Sequence, residues 1–243
     1  ILRSLQTVPK TLPKNVLPLY IGALSSLLQL KVFYSTIGKD PKNEHSRSFE
    51  SFLLNCQSDE ATVSCLKICF ALLCDQETQS KMAIIAKTSY IKLMTSSSDN
   101  VANLAAACLI QSTLDIKMIL NDQVSAFLKK ALSTSGKGQM ELNALRLCGA
   151  FSSTFEGAQF LENEKISTLI AQFISNVKKY DAKDNKNLKN KLAVMAISSY
   201  SKVYPTSKVT IGLINDIIEL LHQRDILMYT TTFLSNAVIH PSG

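Results

Sequence analysis

A repeat constrains this chain more than any other feature. Residues 141–151, ELNALRLCGAF, carry apolar side chains at helical spacing around a small Ala144, and related runs return at intervals of roughly forty residues. Setting these runs against one another puts Cys65, Ala105 and Ala144 in register at spacings of 40 and 39 residues. Leu192 in KNKLAVMAISSY follows Ala144 by 48 residues, and Thr230 in MYTTTFLSNAV follows Leu192 by 38. The long interval holds a polar insert, residues 178–191, KKYDAKDNKNLKNK. A period of this size marks stacked helical units, each too small to bury its own apolar face and so dependent on its neighbours. The spacing predicts an all-α fold, a right-handed superhelix of helical repeats.

Composition agrees with helices and argues against the other classes. Of 243 residues, 46% are hydrophobic and 19% charged, with only 8 glycines and 6 prolines, too few for a disordered chain or a turn-rich β domain. No proline lies between Lys42 and Tyr204, and no stretch alternates at period two between turn signals. An uncharged, largely apolar run, residues 15–30, includes Pro18, Ser25, Ser26 and Gln29 and falls short of the ~20 apolar residues of a membrane span. The chain opens at Ile1 with no Met and no signal-peptide pattern, so it is expected to be an excerpt of a longer protein. Residues 1–48 are expected to form an irregular segment, a leading helix and a polar loop, and residues 49–243 an array of about five units.

Local signals set the expected elements. A helix is predicted over 19–34 and a loop over 38–47, GKDPKNEHSR, broken by Pro41. Three helices fit 49–94, with breaks at 57–60 and 75–78, where Ser58 and Asp75 are candidate N-caps. Turns are predicted at 96–100, SSSDN, and at 133–138, STSGKG.

No catalytic constellation emerges. His45, His222 and His240 have no Cys, Asp or Glu at metal-ligand spacing, and 135–138, SGKG, lacks the preceding strand and the spacing of a phosphate loop. Cys56, Cys65, Cys69, Cys74, Cys108 and Cys148 form no C-x-x-C pair. Most lie in apolar periodic segments, so they are expected as reduced core residues. Neither metal, cofactor nor enzymatic activity is expected. The insert carries Lys178, Lys179, Lys183, Lys186, Lys189 and Lys191 on a chain of net charge +7, a candidate patch for an acidic partner. Only Tyr180 is present to stack on a base, so the insert reads as a solvated inter-repeat loop rather than a nucleic-acid site.

The repeating helix itself offers the best binding surface. With the aligned small residue as position 0, positions −1, +2 and +6 share one face. They are Ser64, Lys67 and Ala71, then Leu104, Ala107 and Gln111, then Asn143, Arg146 and Ala150, then Lys191, Val194 and Ser198, then Tyr229, Thr232 and Asn236. Amides on such a row can bond a peptide backbone, and Arg146 can bond a carboxylate.

The units ELNALRLCGAF, DNVANLAAACL and MYTTTFLSNAV resemble the third helix of armadillo repeats, whose pattern ends in the Leu-Ser-Asn seen at 234–236. HEAT repeats share the period. The resemblance implies a non-enzymatic, protein-binding scaffold. The nuclear-import adaptors of that family use a Trp and Asn ladder, and this chain has no Trp. Residues 72–94, LLCDQETQSKMAIIAKTSYIKLM, and 226–243, ILMYTTTFLSNAVIHPSG, are also similar to the central region of fungal UCS proteins, co-chaperones of the myosin motor domain. That likeness implies a cytoplasmic protein with a myosin head as client. The UCS family's main groove lies in later repeats, so none of its binding residues transfers to this chain. An adaptor for transport, assembly or cytoskeletal complexes is the alternative.

Overall fold

A computed structural model of the chain describes residues 16, 19, 22, 23, 26, 31–112, 119–133, 139–176 and 186–239. Among the described residues all regular structure is helical, and the chain divides into two compact units, Ile1–Ile119 and Leu120–Gly243.

In the first unit, α1 (Lys31–Gly38) and α2 (Glu44–Asn55) precede α3 (Asp59–Leu73). Then come α4 (Gln79–Ala83), a 3-10 turn (Ile84–Lys87), α5 (Ser89–Leu93) and α6 (Asp99–Gln111). The central helices α3 and α6 lie side by side, α2 backs α3, and α5 backs α6. Ser58 caps α3 as its sequence position predicts: Ser58 Oγ accepts the Ala61 N–H at 3.4 Å, with Asp59 and Glu60 in the first turn against the helix dipole. Asp75 stabilises a turn rather than a helix start, its carboxylate accepting the N–H groups of Glu77 at 2.9 Å and Thr78 at 3.2 Å. The predicted loop at 38–47 is shorter than expected, because α2 already begins at Glu44 and takes in His45 and Arg47.

The second unit has two rows. The outer row is α7 (Asp122–Ser133), α10 (Ile166–Asn176) and α12 (Lys208–Glu219), and the central row is α8 (Gln139–Ser152), α11 (Lys186–Val203) and α13 (Leu227–Ile239). Along each row every helix packs on the next, which is the nearest-neighbour arrangement of a repeat stack. A short helix that the periodicity did not announce, α9 (Phe155–Asn163), turns the corner between α8 and α10. Thr154 caps it by accepting the Gly157 N–H at 3.2 Å, and Phe160 meets Phe151 of α8 edge-on at 6.0 Å. At nine residues, with a glycine in its first turn, it is too short to show a period.

Polar ties hold the corner. Ser125 and Lys129 of α7 reach Glu164 at 2.6 and 2.7 Å, while Ser167 of α10 and the Tyr200 hydroxyl of α11 both donate to Glu162. Lys165 closes the link to α10 in the left-handed region, at φ 58.

Burial corrects the register of the fourth unit. Positions +3 and +7 are buried in every other central helix: Ile68 and Leu72, Cys108 and Ser112, Leu147 and Phe151, Phe233 and Ala237. Counting from Leu192 would put half-exposed Met195 and Ser199 there, whereas counting from Ala193 puts the fully buried Ala196 and Tyr200. Position 0 of α11 is therefore Ala193, 49 residues after Ala144 and 37 before Thr230. The insert obscured this, because Leu192 and Ala193 are both apolar and the helix is apolar nearly all round that turn.

Candidate functional site

The expected row divides between the two units. In the first, Lys67 on α3 is exposed, and Ser64, Ala71, Leu104, Ala107 and Gln111 are half-buried on the adjoining α3 and α6. The Gln111 carbonyl accepts from the Gln79 amide at 3.3 Å, which leaves its side chain as that residue's contribution to the surface.

In the second unit the structure retains part of the row and shifts part of it. Arg146 and Ala150 of α8 are exposed. Asn143 is not, at 2% exposure; its Oδ1 lies 3.4 Å from Arg146 Nη1, so it braces the arginine from below. On α11 the register change withdraws Val194 and Ser198, at 0% and 3% exposure, and brings Met195 and Ser199 to the surface beside half-buried Lys191. On α13, Tyr229, Thr232 and Asn236 are half-exposed. Asn236 also bonds within the fold, where its amide donates to the Ser198 carbonyl at 3.3 Å and to Ser201 Oγ at 3.0 Å, joining α13 to α11. The surface that results runs over Arg146, Ala150, Met195, Ser199, Tyr229 and Thr232, and carries one cation, apolar and hydroxyl groups, and no carboxylate. Met195 was missed at the sequence level through the register alone.

The basic patch also changes. Lys178, Lys179 and Lys183 lie outside the described residues, and so does the Lys186 side chain, though Lys186 opens α11. Residues 186–191 are thus helix rather than loop. Lys189 is committed within the fold: its ammonium sits 2.5 Å from Glu141 of α8, with side-chain exposures of 16% and 5%. Withdrawing Lys189 would leave Glu141 as a buried charge without its cation, so the pair holds Lys189 within the fold rather than offering it to an acidic partner.

The cysteines behave as core. Cys65, Cys69, Cys108 and Cys148 are buried and reduced, Cys56 is half-buried and Cys74 exposed. Burial pushes the thiols of Cys65, Cys108 and Cys148 upward, the opposite of an activated nucleophile. Among the described residues no group of three His, Cys, Asp or Glu could hold a metal ion, and no helix is long and apolar enough to cross a membrane.

No protein-family model matches this chain, and no curated protein matches it significantly. Solved structures do. One engineered protein, a crystal structure, superposes with a TM-score of 0.69 at 15% identity, covering 97% of this chain and 96% of its own. A second engineered protein gives a TM-score of 0.62 at 13% identity over 97% of this chain and 68% of its own. At such identities the likeness speaks to fold alone, and with the stacked rows described above it supports an all-helical fold with helical-repeat packing among the described residues.

Proposed function

We propose that this chain is a non-enzymatic protein-binding scaffold of the armadillo or HEAT type, which takes a client segment along its central helices. One observation carries the reading. Three successive central helices of the second unit turn positions +2 and +6 at least partly outward, and these bear Arg146, Met195, Ser199 and Thr232, with Tyr229 beside Thr232 on α13 and no carboxylate among them. Such a surface suits a segment that offers apolar side chains and an acidic group, since Met adapts its shape to varied side chains and Arg146 can clasp a carboxylate. The likeness of 72–94 and 226–243 to UCS co-chaperones makes a myosin motor domain the client to try first and a cytoplasmic chaperone role the specific form of the proposal.

The test is capture of a purified myosin motor domain by the chain, with Arg146→Glu and Met195→Glu as variants. Both side chains reach solvent, so the fold should tolerate the changes, which circular dichroism checks. Weakening of capture by about tenfold in either variant, the loss typical of one well-placed contact, supports the row. Capture unaffected by both would remove the row, and no capture by the unmodified chain would remove the myosin reading.

A further inference from the structure

The central helices of the second unit are linked by equivalent positions. On α8, position −3 is Glu141, paired with Lys189 of α11, and position +5 is Gly149, where an added Cβ would lie 3.0 Å from Met195 Cε of α11. On α11, positions +5 and +8 are Ser198 and Ser201, which accept the Asn236 amide of α13. The face bearing −3, +1, +5 and +8 is therefore the one each central helix gives to the next. It is covered on α11, where Asn190, Val194, Ser198 and Ser201 are 5%, 0%, 3% and 0% exposed.

On α13 the same face is bare. Leu227 and Val238 at −3 and +8 are 42% and 67% exposed, Met228 at −2 is 65% exposed, and Thr231 and Ser235 at +1 and +5 are exposed. Its chemistry matches the covered face of α11. Ser235 stands where Ser198 does, the small Thr231 where Val194 does, and no charge occurs anywhere in LMYTTTFLSNAVI. The outer helix α12, packed on α13, leaves Ile211 and Ile218 50% and 48% exposed. A solvated helix end has no use for three large apolar side chains at these positions, whereas a stacked neighbour does.

We propose that this face takes a further helix pair of the chain's own repeat type, carried in tandem and stacked on α13 as α13 stacks on α11. The inference rests on the internal α8, α11 and α13 contacts and is independent of the client-binding row, which uses other positions.

The experiment compares amide hydrogen exchange in α13 between the chain of residues 1–243 and the same chain followed by a tandem copy of 204–239. In the copy, Leu227, Met228 and Val238 are replaced by Lys so that its own outer face stays soluble. Exchange in the first α13 should slow by about tenfold or more, as for a helix moved from the edge to the interior of a stack. Thr231→Arg in that first α13, an exposed site that leaves the original fold intact, should abolish the slowing. No slowing overturns the proposal, as does slowing that survives Thr231→Arg. A dimer of the 1–243 chain that is lost with Thr231→Arg assigns the face to a second copy instead and equally overturns it.

Discussion

The same substitution, Gly to Ala, should have opposite effects at two positions of the second unit. At Gly157 an added Cβ would lie 2.1 Å from the Phe151 carbonyl oxygen and 2.7 Å from that residue's carbonyl carbon and Cα. All three are backbone atoms, so no side chain can rotate away, and the methyl fits only if α9 withdraws from the end of α8. Withdrawal costs the Thr154 cap, about 1 kcal/mol, and the Phe151–Phe160 edge contact, about 0.5–1.5 kcal/mol. Residual overpacking adds about 1–3 kcal/mol. Alanine's better helix propensity returns about 1 kcal/mol, so the net loss should be about 1.5–4.5 kcal/mol. At Gly212, inside α12, an added Cβ meets nothing within 4 Å. Gly212→Ala should therefore stabilise the chain by about 0.5–1 kcal/mol through propensity and the reduced entropy of the unfolded state. Urea denaturation followed by helix circular dichroism measures both. A neutral or stabilising Gly157→Ala would refute the close approach of α9 to α8, and a destabilising Gly212→Ala would refute the open space at that position of α12.

Four further outcomes follow from particular contacts. Lys189→Ala should destabilise by about 3 kcal/mol, the low end for a broken buried pair, because Glu141 keeps other contacts; Glu141→Gln with Lys189→Met should recover most of that in the same denaturation assay. Lys165→Gly, at φ 58, should raise stability by about 0.5–1 kcal/mol, read as a shift in denaturation midpoint. Hydrogen bonds from Lys129 and then Ser125 hold the Glu164 carboxyl below the usual carboxylate range. A lowered folded value means that this stabilisation is present above the unfolded value of about 4.3 and disappears as pH falls through the folded one, so Lys129→Ala should flatten the acid limb of a stability–pH profile below that point. Thiol titration of the native chain should label Cys74 first and Cys56 more slowly, with Cys65, Cys69, Cys108 and Cys148 reacting only on unfolding.

Much of this architecture was legible in the residues. Helices, their approximate ends, the Ser58 cap and the burial of the repeating apolar positions follow from periodicity and turn chemistry, which act within a few residues of each other. The candidate surface was legible on α8 and α13 at Arg146, Tyr229 and Thr232 for the same reason.

Tertiary structure decided what depends on the neighbouring helix. Each residue along a helix turns the face by about 100°, so a one-residue error in phase exchanges a core position for a surface one. In KNKLAVMAISSY the local pattern does not choose between Leu192 and Ala193. Packing against α8 and α13 does, withdrawing Val194 and Ser198 and exposing Met195 and Ser199. The roles of Lys189 and Asn236 were settled in the same way, since they bond residues 48 and 38 positions away in sequence. The sequence alone determined that this chain would stack helices; which side chains were left facing solvent depended on the phase at which each helix met the next.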